Sequence, residues 1–190
     1  MTDTTMTPPL QGFSLLDLTD SEAGRFCATM LADLGAWVTR IDDGSRAGQT
    51  SDSFLNAALL RNRKFVDGAD RDELIAEQLP LHHVVLTDSD TAIPDLSRFA
   101  GVIHCSITPF GLEGPWAGRA AGDLVIQALS GFMELTGTPG RPPIRMGARV
   151  LPLMAGALAA VQIMAGLLRD GQGAGASIDM AVFDMALNTL

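Results

Sequence analysis

The run Val102-Ile103-His104-Cys105-Ser106-Ile107-Thr108 leads into Pro109-Phe110-Gly111-Leu112-Glu113-Gly114-Pro115-Trp116-Ala117-Gly118-Arg119 and then into Gly122-Asp123-Leu124-Val125-Ile126-Gln127-Ala128-Leu129-Ser130-Gly131. An apolar, β-branched stretch ends in small polar residues, a loop punctuated by glycine and proline follows, and a helical pattern opens at Asp123. Strand, loop and helix in that order are half of a βαβ unit. Working outward, the same alternation recurs. Phe13 to Leu18 predicts a buried strand, Thr19-Asp20-Ser21-Glu22 a turn, and Ala23 to Leu34 a helix stopped by Gly35. Trp37 to Ile41 predicts a second strand, followed by a polar loop over Asp42 to Ser53 and a short helix from Phe54 to Leu60. Asp70 to Gln78 reads as a polar surface helix, His83 to Leu86 as a third strand and Val102 to Thr108 as a fourth. Helices are expected at Asp123–Glu134 and Leu151–Arg169, a glycine-rich turn at Asp170–Gly175, a last strand at Ser177–Met180, and a helical pattern over Ala181–Leu190. Strands alternating with helices imply an α/β fold with a doubly wound, mostly parallel sheet covered on both faces. Its ligands collect at the carboxyl ends of the strands, which here carry Thr19–Glu22, Asp42–Gly44, Thr87–Asp90 and Thr108–Gly111.

The 190 residues suffice for one sizeable core, and 47% hydrophobic with 18% charged residues is the composition of an ordinary soluble α/β protein. Residues 1–10 are polar and contain proline, the pattern of a flexible arm with no signal peptide, so one domain is expected over 11–190. The net charge of −9, with Lys64 the only lysine, leaves no basic face for a phosphate backbone and excludes general nucleic-acid binding. Val150 to Leu168 is long and uncharged enough to cross a membrane. Its alanines and glycines, Gln162 and Pro152 fit a buried core helix instead, and no membrane association is expected. Cys27 and Cys105 show no paired or metal spacing and read as buried thiols of a cytoplasmic protein. His82 and His83 lack a ligand partner at metal spacing, so no metal is expected. His104 and Cys105 are strand neighbours that point to opposite faces and make no nucleophile pair. Gly171-Gln172-Gly173-Ala174-Gly175 precedes a strand, so it is a turn and no dinucleotide loop. Ser106 and Ser130 lie in no nucleophile-elbow sequence.

The opening stretch resembles the "SITGFGQTGPYA…GYDLVAQALSGLM" block of the class III coenzyme A transferases, the group of formyl-CoA transferase, carnitine CoA-transferase and the α-methylacyl-CoA racemases. Leu16-Asp17-Leu18 with Ala23-Gly24 and Met30-Leu31-Ala32-Asp33-Leu34-Gly35-Ala36 is similar to the family's opening, and Arg61-Asn62-Arg63-Lys64 to its "RNKR". Gly173-Ala174-Gly175 with Ile178-Asp179 and Asp184 is similar to its "GRGQ.VDVSLLDA". The resemblance implies a Rossmann-like large-domain half of such an enzyme, without the small domain and the C-terminal return. It also implies CoA or an acyl-CoA as ligand.

In that family an aspartate attacks an acyl-CoA thioester, because only a carboxylate yields a mixed anhydride that a second acid can exchange. It lies in "RVGVPIADLTAG". The matching run is Arg145-Met146-Gly147-Ala148-Arg149-Val150-Leu151-Pro152-Leu153-Met154-Ala155-Gly156, which puts Pro152 at the nucleophile. No Asp, Glu, Cys or Ser lies between Glu134 and Asp170 to rescue the register. The racemase histidine is missing too, since Gly122 precedes Asp123. For CoA, the resemblance points to Asn62, Arg63 and Lys64, with Arg61, as phosphate contacts and to Arg40 helping from the second strand; a solvated loop is the plain alternative. Glu22 stands where formyl-CoA transferase has a glutamine, and the segment matching the family's CoA-lining "VENFRPG" reads Leu86-Thr87-Asp88-Ser89-Asp90. The expectation is therefore a chain inactive alone, working with an active homologous subunit or as a homo-oligomer. Alternatives are a stand-alone acyl-CoA or organic-acid binding and regulatory module, an active transferase or racemase in another register, and an N-terminal fragment of a longer gene product.

Overall fold

The computed structural model describes residues 7–42, 53–68, 70–89, 101–170 and 175–190. The predicted polar loop at 43–52, residues 1–6 of the arm, Asp90, and 171–174 of the glycine turn lie outside the described residues.

Six strands form one parallel sheet: β1 (Ser14–Asp17), β2 (Trp37–Asp42), β3 (Arg63–Asp67), β4 (Val84–Asp88), β5 (Ile103–Thr108) and β6 (Ala176–Ala181). Their spatial order is β3-β2-β1-β4-β5-β6, so the winding reverses between β1 and β4, where a crevice for a ligand opens in doubly wound sheets. β4 and β5 are buried along their whole length, as their unbroken apolar and small-residue runs require of central parallel strands. The helices are α1 (Glu22–Asp33), α2 (Ser53–Leu59), α3 (Arg71–Gln78), α4 (Asp123–Ser130), α5 (Val150–Asp170) and α6 (Val182–Thr189).

Strand periodicity divides the core in two. Leu15, Val38, Val84, Leu86, Ile103, Cys105 and Ile107 point to one face and pack with α1, α4, α5 and α6; Leu16, Leu18, Ile41 and Val85 point to the other, against Ile75 and Leu79. α1 and α5 meet without an intervening side chain: a Cβ on Gly156 would stand 2.4 Å from the Ala23 carbonyl oxygen. Small residues at that crossing let the backbones touch and bring the first turns of both helices together.

Two elements differ from the sequence reading. β3 was not anticipated, because Arg63-Lys64-Phe65-Val66-Asp67 is an edge strand whose mostly exposed residues carry no apolar alternation. The helix expected over Asp123–Glu134 stops at Ser130. Gly131 takes the left-handed conformation (φ 91°) and a 3-10 turn, Phe132–Leu135, follows. The apolar segment starting at Val150 is α5. Leu151, Ala155, Ala159, Ala160 and Ile163 are buried, while Leu158, Val161 and Leu168 face outward. It is long and apolar enough to cross a membrane by length and composition; here one side of it is core and the other is open.

Candidate functional site

A cleft of about 560 Å³ opens at the carboxyl ends of β4 and β5. Its walls are the start of α1 (Ser21, Glu22, Ala23), the start of α4 (Gly122, Asp123, Val125, Ile126), the first turn of α5 with the residues before it (Arg145, Arg149, Pro152), and Val182 of α6. Four helix N-termini thus converge on one space, each following a strand or loop that the sheet fixes. Ser21 caps α1 by accepting from Gly24 N at 3.2 Å. Asp88 ties the β1–α1 turn to β4, its Oδ2 accepting from Asp20 N and Ser21 N at 2.7 Å each. The loop after β5 is held by the mutually packed rings of Phe110, Trp116 and Phe183, and by Phe183 N donating to the Pro109 carbonyl at 3.0 Å.

Pro152 is the third residue of α5 and lines the cleft. Proline is tolerated there because the N–H it lacks would have no intrahelical acceptor. Three carboxylates line the space, Glu22, Asp88 and Asp123, and two of them face arginines there. Glu22 is paired with Arg149, and Asp123 Oδ2 with Arg145 at 3.1 Å. Asp123 Oδ2 also accepts from Gln127 Nε2 at 2.8 Å, while Gln127 Oε1 accepts from Met146 N at 2.9 Å, which fixes the segment that carries Arg145. Asp123 Oδ1 is buried and has no hydrogen-bond partner. Both acids are mostly buried and both arginines half-exposed, so each pair reaches from a cleft wall toward solvent.

The residues expected to meet CoA phosphates are dispersed. Arg63 is fully buried by its side chain: it pairs with Asp17 and donates to Thr29 Oγ1 at 2.9 Å and to the Leu59 carbonyl at 2.8 Å. Arg40 pairs with Asp17 at 3.2 Å and Asp20 at 2.9 Å. Burial alone would raise the Asp17 carboxyl, but Arg63, Arg40 and two hydrogen bonds from Thr19 hold it below the ordinary carboxylate range. Arg61 and Asn62 both bind Asp33 at the surface, and Lys64 is exposed on β3. None of these lines the cleft; of the residues that the resemblance places at a CoA site, Glu22 does.

Other reactive side chains are spent elsewhere. Burial pushes the Cys105 thiol up to about 12 and raises Cys27 well above its usual value, so neither supplies a thiolate near neutrality. His82 donates through Nδ1 to the Gln78 carbonyl at 2.7 Å, and its Nε2 meets Thr39 Oγ1 at 2.9 Å; His83 binds Ser14, and His104 binds Thr87. The sequence reading missed Arg145 and Arg149. Their only signal was two cations four residues apart just ahead of a proline-containing helix start.

Comparison with known proteins agrees with this architecture. The model of CoA-transferase family III matches residues 10–66 and 95–190. The succinyl-CoA:glutarate CoA-transferase of Mus musculus is 32% identical over 87% of this chain and 44% of its own length. The acetyl-CoA:oxalate CoA-transferase of Acetobacter aceti is 30% identical over 98% of this chain and 55% of its own. A CaiB/BaiF family protein from Brucella suis superposes with a TM-score of 0.86 at 26% identity, over 97% of this chain and 56% of that one. The chain spans about half the length of the curated relatives it matches.

Proposed function

Because the chain belongs to CoA-transferase family III, we propose that its cleft binds a CoA thioester or the free acid without reacting covalently, and that it works beside a homologous subunit carrying the nucleophile. The observation behind this reading is Pro152, which lines the cleft at the position matching the family's aspartate. Of the carboxylates that line the cleft, Glu22 and Asp123 are held in ion pairs with arginine and Asp88 accepts from the Asp20 and Ser21 amides, and an acid so engaged is a poorer nucleophile. Loss of a nucleophile typically costs about 10^4 to 10^6 in rate.

Arg40 and Arg63 are committed to Asp17 in the interior, so we assign the ligand's main anchorage to its acyl end in the cleft rather than to its phosphates. The partner reading draws on Leu124, Leu129, Leu187 and Leu190, which α4 and α6 leave about half-exposed. The two buried thiols suit a reducing compartment, and we propose the cytoplasm.

The test is calorimetric titration with succinyl-CoA and acetyl-CoA, followed by hydroxylamine trapping and mass spectrometry. Binding without a trapped adduct is expected of the native chain. Pro152→Asp should then yield an adduct at residue 152, since an aspartate in the first helical turn stays ionised beside the helix N-terminus. An adduct on the native chain would overturn the non-covalent reading, and absence of heat with every thioester would overturn binding.

A further inference from the structure

We propose that the cleft selects a short hydroxy-carboxylic acid: a carboxylate that docks on Arg149 and an adjacent hydroxyl that donates to Asp123 Oδ1. The proposal rests on the reading that the cleft holds an acid, and it names the chemical class of that acid.

Asp123 carries the argument. Its Oδ2 is saturated by Arg145 and Gln127, whereas Oδ1 is buried at the cleft wall with no donor. Around it the lining is largely apolar, with Ala121, Val125, Ile126 and Pro152. A charged acceptor left without a donor in such surroundings costs more than a neutral one, and the cost is recovered when a ligand supplies an O–H. A simple carboxylate has no donor to offer and is repelled by Asp123. An amide or hydroxyl beside the carboxylate reverses that.

Arg149 supplies the other half. It is half-exposed and its partner Glu22 hangs from the first residue of α1, so the pair spans the cleft from α5 to α1. Arg149 faces the mostly buried Glu22 through Nη1, and its half-exposed guanidinium presents its remaining N–H groups to an entering carboxylate while Glu22 stays paired. The fork of a guanidinium donates two parallel hydrogen bonds to a carboxylate. Arg145 stays on Asp123 Oδ2 and keeps that carboxylate oriented. The cleft volume of about 560 Å³ leaves ample room for a four- or five-carbon acid.

The experiment is a ligand series on the full chain, read by calorimetry: malate, succinate and methoxysuccinate, with succinyl-CoA run alongside. Malate should bind at least about tenfold more tightly than succinate, as expected for a hydrogen bond to a buried charged acceptor. Methoxysuccinate, which keeps the oxygen but has no proton to donate, should fall with succinate. Arg149→Ala should abolish binding of all three but also strips the mostly buried Glu22 of its partner, so Arg149→Lys, which keeps the charge and loses the fork, is run with it and should weaken all three while circular dichroism and melting temperature stay unchanged. Equal affinities for malate and succinate, or methoxysuccinate binding like malate, would overturn the proposal while succinyl-CoA binding left the cleft reading intact. If succinyl-CoA failed as well, the cleft reading would fall with it.

Discussion

Asp17 is the residue on which the β1–β2–β3 half of the sheet depends. Its carboxylate, wholly buried, meets Arg40 and Arg63 and accepts from Thr19 N at 3.0 Å and Thr19 Oγ1 at 2.7 Å. Removing its charge leaves two buried guanidinium groups short of a partner, so Asp17→Asn should cost about 3–5 kcal/mol in urea unfolding. The pH dependence follows from the lowered carboxyl. The unfolded chain takes up the proton first, near the ordinary value of about 3.9. The stabilisation is therefore complete above that pH and is lost as pH falls through the lower folded value. Native protein should lose stability below about pH 4 more steeply than the Asn variant, which has no such group to titrate. This cluster also marks where residue-level reading of the sequence stops. Leu16-Asp17-Leu18 and Arg61–Lys64 were legible as family motifs, but whether an arginine faces a phosphate or an internal carboxylate depends on strand pairing, which the spacing does not reveal. Pro152 was legible because a missing functional group needs no geometry to be noticed.

Between elements, the contact that shapes the cleft is the crossing of α1 and α5. Glycine to alanine in an exposed helix interior ordinarily stabilises by about 0.5–1 kcal/mol. At Gly156 the sign reverses, because the new Cβ would meet backbone on α1: the Ala23 carbonyl oxygen at 2.4 Å and Cys27 N at 3.1 Å. Backbone cannot yield as a side chain can, so Gly156→Ala should destabilise by about 1–3 kcal/mol. Because Ala23 and Pro152 line the cleft, ligand affinity should fall together with the melting temperature. Gly166→Ala on the same helix is the control. There the nearest atom is Ile103 Cδ1 at 3.2 Å, the end of a flexible side chain, and the change should be close to neutral in both measurements. Most strands and helices were legible from periodicity and glycine punctuation, because a parallel sheet buried on both faces writes its strands as unbroken apolar runs. β3 was not, since an exposed edge strand is specified by its neighbour β2 and not by its own pattern.

At the scale of the whole molecule, the sheet and α1 bury one side of α5, while the other side and the outer faces of α4 and α6 stay apolar and open. Leu129 on α4 and Leu187 on α6 are each 48% exposed, and Leu190, just past the end of α6, is 52% exposed. The two helices adjoin at their ends, where Leu190 Cδ1 lies 3.7 Å from the point a Gly131 Cβ would occupy. Single exposed leucines are normal, but several on adjoining helices beside an uncovered apolar helix support the association proposed above. The acidic chain, at −9, resists nonspecific self-association elsewhere, which favours contact through these exposed leucines. A Leu129→Asp, Leu187→Asp double variant should therefore shift the species seen by sedimentation velocity toward monomer, and should do so with little change in unfolding free energy, because neither side chain is in the core. Surface changes of that kind usually stay within about 0.5 kcal/mol. A native chain that sediments as a monomer across the concentration range, and binds no homologous subunit, would remove the argument for this surface; a variant that lost stability together with association would show the leucines to be core instead.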